Sequence, residues 1–197
     1  GCYELKEGTT RGDGHVLGIW ALLLGAGKDS KFAPLLPRLP PDRAMVITGE
    51  SVRSMAGSMT FVNYIASNTA EREFRNTVVG ISTGARRGPA WDHFERKLKI
   101  ALQNPNLLLI VSAGNDGKRF DSGVCDYFPA CYGDLTNVIA VGAAETFQSA
   151  VQPRLRSDSN RGGKWISIAA PGTNVLTLGR EARNGALQYV WMHRSSV

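Results

Sequence analysis

The chain has 197 residues, 43% hydrophobic and 20% charged, an ordinary globular composition with enough length to bury one sizeable core. Its net charge of +6 comes from 23 basic and 17 acidic residues scattered along the sequence; with no basic stretch interleaved by aromatics, this reads as a solvated surface and excludes a nucleic-acid partner. The longest apolar run, Val16 to Ala26, is too short for a membrane span and is interrupted by Gly18 and Gly25, so the chain is expected to be soluble, with no membrane partner.

In chain order, a helix is expected over His15 to Leu24, then a loop from Gly25 to Arg43 containing four prolines. Short apolar runs rich in β-branched residues predict strands at Ala44 to Thr48, Thr77 to Ser82, Leu107 to Ala113, Val138 to Ala143 and Trp165 to Ala169. Each run is nearly continuous, which suits strands buried on both faces of a parallel sheet. Between the first two, a helix is expected within Val52 to Ser67. A further helix over Ala90 to Gln103 places Trp91, Phe94, Leu98 and Ala101 on one stripe, opened by Pro89 and closed by Asn104-Pro105. Gly114 to Thr136 and Phe147 to Lys164 read as loops. Alternating helices and strands of this kind predict an α/β fold, with a mainly parallel central sheet flanked by helices and ligand chemistry at the carboxyl ends of the strands.

Three cysteines leave at least one unpaired within the chain. Cys125 and Cys131 are close enough to bridge a loop in an exported protein, or to stand as two reduced thiols, while their spacing without further cysteine or histidine partners is a poor zinc signature. Asp116, Asp121, Asp126 and Asp134 fall in one loop region, yet their spacing matches no calcium loop. No metal ligands are therefore assigned.

The most informative local feature is the run from Leu107 to Ala113 into Gly114-Asn115-Asp116-Gly117. It puts a side-chain amide at a strand's carboxyl end, flanked by glycines that let a substrate backbone approach. The same four residues are also an everyday turn.

The surrounding order gives that turn its meaning. His15-Val16-Leu17-Gly18-Ile19 resembles the end of an HGTHVAGI helix start, and Val78-Val79-Gly80-Ile81-Ser82-Thr83-Gly84 resembles a VxNxSxG strand. Ile110 to Gly117 resembles VxAAGNxG, and Tyr127-Phe128-Pro129-Ala130 followed by Asn137 to Ala143 resembles YPAxxxxVIxVGA. Ser159-Asn160-Arg161-Gly162 with Ile166 to Gly172 resembles SNxGxxVDIxAPG. These blocks, in this order over roughly residues 12 to 197, are similar to the subtilisin-like serine proteases, the subtilase family.

The resemblance implies a serine that attacks a peptide carbonyl, a histidine that takes its proton, an aspartate that orients the histidine, and an asparagine amide that helps hold the oxyanion. Asn115 matches the oxyanion asparagine. Ser82, Thr83 and Gly84 match the backbone edge that pairs with an extended substrate. Ser196 matches the nucleophile in the stretch Met192 to Val197, where Arg194 stands in place of a glycine; a plain polar chain end is the other reading of that stretch. In the simplest register Gly12 occupies the position of the base and His15 that of a second, structural histidine, whereas a shifted register brings His15 to the base. None of Glu4, Glu7 or Asp13 stands in the D-[ST]-G motif of the orienting acid, so that acid is expected outside the chain.

The expectation is thus one subtilisin-like peptidase domain over residues 1–197, truncated at both ends. It acts on peptide or protein substrates, with self-association through core edges left uncovered by the truncation. The alternative is a non-catalytic subtilase-fold module that binds a partner along Ser82 to Gly84. By the same resemblance the protein is exported, and structural calcium is a cofactor that many relatives carry.

Overall fold

The structure is a computed structural model that describes residues 55–68, 76–82, 84–88, 95, 99, 101–120, 123–145, 154–180 and 187–192. Helix α1 (Met55–Ser67) is followed by strands β1 (Thr77–Ile81), β2 (Ala85–Arg86), β3 (Leu107–Ser112), β4 (Tyr127–Phe128), β5 (Val138–Glu145), β6 (Arg154–Leu155) and β7 (Ile168–Pro171). These form one compact unit. A second unit holds β8 (Val175–Arg180) and β9 (Leu187–Met192).

The central sheet has the expected α/β form: β1, β3, β5 and β7 lie side by side and all pairs between them are parallel. β6 pairs antiparallel with the end of β5, where Ala144 faces Leu155 on one side and Pro171 on the other. It therefore takes up the ladder where β3 has stopped.

β3 is apolar up to Ser112 because most of it is enclosed; Leu107, Leu109 and Val111 are each buried. β1 instead alternates, with Val78 exposed and Ile81 buried, so its apolar run is not a mark of burial on both faces among the described residues. α1 contributes Val62 and Ile65 to the core beside Leu102, Phe120, Phe128, Tyr132 and Val138. Its last turn is closed by Asn68, whose side-chain amide donates to the Tyr64 carbonyl at 2.7 Å, satisfying an acceptor that the helix leaves open. Asn104 ties the lower edge together: its amide donates to the Ala66 carbonyl and its Oδ1 accepts from the Asn106 N–H.

Of the helix expected over Ala90 to Gln103, Glu95, Lys99 and Ala101 are described and are helical, with Lys99 paired to Glu95 one turn away at 3.1 Å. The strand expected at Trp165 begins instead at Ile168. Trp165 is in a turn because its ring is committed to the core, edge-on to Phe120 with centroids 6.3 Å apart; the ladder starts where the Ser167 N–H donates to Ala140. Residues 175–180 and 187–192, to which periodicity assigned no element, pair antiparallel from Val175↔Met192 to Arg180↔Leu187. The elements expected at His15 to Leu24 and Ala44 to Thr48 lie outside the described residues.

Candidate functional site

β1 and β3 run parallel and in register to Ile81↔Val111, so Gly84 and Gly114 each stand three residues beyond that pair at the carboxyl end of the sheet. Ser82, Gly84 and Asn115 are thereby brought to one edge. Asn115 is partly exposed, and Ser82 and Gly84 likewise.

The turn carrying Asn115 is held from a distant segment. Asn160, fully buried, donates its side-chain amide to the Ala113 carbonyl at 2.9 Å. Its Oδ1 accepts the backbone N–H groups of Asp116 at 3.1 Å and Lys118 at 2.9 Å. The Asn160 N–H itself donates to the Gly114 carbonyl at 3.0 Å, and Gly117 donates to Asp158 at 2.8 Å. One amide side chain therefore accepts from two backbone donors of the turn and donates to the carbonyl that precedes it, which fixes the backbone on either side of Asn115.

Ser159 completes the arrangement. Its hydroxyl, also fully buried, accepts the Ala143 N–H at 2.9 Å and donates to the Asn160 carbonyl at 3.1 Å. It occupies the position beside β5 where β3 has already turned away into Gly114.

A third segment closes the edge. β4 pairs with β2 through Ala85↔Phe128 and Arg86↔Tyr127, and Cys125 is bonded to Cys131; of the two states open for these thiols, the structure has the bridge. The Tyr127 N–H points at Cys131 Sγ at 3.1 Å. Lys118, just past Asn115, pairs with Asp126 at 2.7 Å. Burial, and then the charge of Asp116, push the Tyr127 phenol above its ordinary value of 10.0, so it is neutral at physiological pH.

Thr83, His15 and Ser196 lie outside the described residues. Asn160, Ser159 and Tyr127 belong to the sequence blocks already quoted, but no role attached to them; the available signal was the Ser-Asn pair preceding a glycine, which sequence order alone does not connect to Asn115. Among the described residues no group of three or more histidine, cysteine or carboxylate side chains gathers that could hold a metal, and Asp126 and Asp134 are paired with Lys118 and Lys164. Nor, among the described residues, is any helix long and apolar enough to cross a membrane.

A family model of the subtilases matches residues 41–195. The chain belongs to the subtilase family. Solved structures agree on the fold. This subtilase is similar to the prenylagaramide maturation protease PagA, at 24% identity and a TM-score of 0.61 over 92% of this chain and 58% of that one. It is also similar to the A-subunit of the AB5 toxin from E. coli, at 22% identity and 0.55 over 73% and 49%, and to a cold adapted subtilisin-like serine proteinase, at 21% and 0.50 over 73% and 43%. The chain thus spans 43% to 58% of the length of these three structures. No curated protein sequence matches it.

Proposed function

We propose that this subtilase chain is one peptidase domain over residues 1–197, belonging to a serine endopeptidase that cleaves extended peptide or protein substrates. The substrate strand pairs along Ser82, Thr83 and Gly84. Ser196 attacks the carbonyl carbon, His15 receives the hydroxyl proton and later delivers it to the leaving amine, and the Asn115 amide donates to the oxyanion. The orienting acid has no match within the chain.

The observation that carries this reading is the turn at the end of β3. A turn needs neither a buried asparagine on two of its backbone donors nor a neighbouring strand end in register; an amide donor that must not reorganise during the reaction needs both. Family membership supports export, in keeping with the Cys125–Cys131 bridge.

Gly12 in the position of the base and Arg194 before Ser196 favour a second reading, a module that binds a peptide along the same edge without cleaving it. A fluorophosphonate probe separates the two. Covalent labelling mapped to Ser196 supports the peptidase; a folded protein that takes up no label supports the binding module.

A further inference from the structure

Two glycines at the strand ends share one obstacle. A Cβ placed on Gly114 would lie 2.7 Å from Cε1 and 2.8 Å from Cζ of Tyr127, and a Cβ on Gly84 would collide with the same two ring atoms and stand 2.7 Å from the phenolic oxygen. The Tyr127 ring is therefore packed flush against both backbones and fills the slot between the carboxyl ends of β1 and β3. Such a ring needs glycine on both sides, because no real side chain tolerates contacts this short.

The backbone that carries the ring is held in place. Its backbone is tied to β2 through Arg86↔Tyr127, to Cys131 Sγ by its N–H, and to the Asn115 turn through the Lys118–Asp126 pair that immediately precedes it. The Cys125–Cys131 bond encloses the same short segment. Shifting the backbone that carries the ring would require breaking several of these together.

On the endopeptidase reading, the slot is also where a substrate side chain would go. A strand paired along Ser82 to Gly84, with one carbonyl oxygen directed at the Asn115 amide, carries the α-carbon next to that carbonyl across the gap between the two strand ends. On the endopeptidase reading, the side chain on that carbon would be directed into the space between Gly84 and Gly114. We propose that Tyr127 is a specificity-determining residue, plugging this slot so that only glycine or alanine is accepted on the acyl side of the scissile bond. The proposal rests on the endopeptidase reading and adds to it a substrate class: peptides cut after a small residue.

The test uses the intact protein and blocked tetrapeptide anilides that differ only in the residue before the scissile bond: glycine, alanine, leucine or phenylalanine. The parent protein is expected to favour alanine over phenylalanine in kcat/KM by at least about 10-fold. Tyr127→Phe keeps the ring and the preference, and Tyr127→Gly reverses it by gaining activity on the phenylalanine peptide. Equal cleavage after alanine and phenylalanine by the parent, or an unchanged ranking in folded Tyr127→Gly, overturns the assignment of Tyr127 and leaves the endopeptidase reading standing. Cleavage of no peptide by any of the proteins overturns both. Should Tyr127→Gly not fold, the parent's own ranking of the four peptides, with Tyr127→Phe beside it, decides the question.

Discussion

Asn160 and Gly114 are fitted to one another from both directions: the Asn160 N–H donates to the Gly114 carbonyl at 3.0 Å, while a Cβ on Gly114 would stand only 2.5 Å from Asn160 Nδ2. The glycine leaves room for the amide, and the amide holds the turn that begins at the glycine. Because Asn115 follows directly, the position of its backbone depends on the buried Asn160 side chain.

Removing that side chain should therefore be costly. In Asn160→Ala the part-buried N–H groups of Asp116 and Lys118 lose their acceptor, and the buried Ala113 carbonyl loses a donor. The expected destabilisation is about 2 to 5 kcal/mol, read from the midpoint of urea unfolding at unchanged slope. A loss below about 0.5 kcal/mol would mean that the turn holds itself.

Gly114→Ala should fail for a separate reason. Its backbone φ is +95, a region that side chains rarely adopt, and the added methyl meets both Asn160 and the Tyr127 ring. Strain and overpacking together are expected to cost about 2 to 4 kcal/mol. Gly80→Ala is the comparison: nothing lies within 4 Å of its added Cβ, so its cost should stay below about 1 kcal/mol in the same unfolding assay.

The raised Tyr127 phenol predicts a pH effect of definite sign. Burial first, and the Asp116 charge second, hold its proton above the ordinary 10.0. From about pH 10 upward the unfolded chain ionises this phenol while the folded chain keeps it neutral. The unfolded state then binds fewer protons, so stability falls as pH rises through that window. Compared with Tyr127→Phe, the parent should lose more stability between about pH 9.5 and 11. A parent curve that ran parallel to the variant's would show that the phenol titrates alike in both states.

The sheet was legible in the sequence because its signal is local. The β-branched runs at Thr77, Leu107 and Val138 meet the observed strands within a residue or two, and Asn115 stood out because a Gly-Asn pair directly follows the most apolar of them. Trp165 misled because an aromatic residue looks the same whether its ring fills a core from a turn or from a strand. The pairing of β8 with β9 is non-local, with Gly179 and Arg180 interrupting the first strand's pattern. Asn160 and Tyr127 escaped for a stronger reason. The amide acts on Asp116, 44 positions earlier, and the ring acquires its role only where residues 84, 114 and 127 meet, which the fold alone brings about.

The claim on which the rest depends is that Asn115 is the oxyanion donor of a subtilase active site. It is tested most directly by comparing kcat/KM for Asn115→Ala and the parent protein on one good peptide substrate, with unfolding midpoints measured alongside. The account predicts a fall of about 100- to 1000-fold carried almost wholly by kcat, the size known for this donor in subtilisin, with stability changed by less than about 1 kcal/mol. A folded variant within about threefold of the parent, a rate effect of well under 1 kcal/mol, would contradict it.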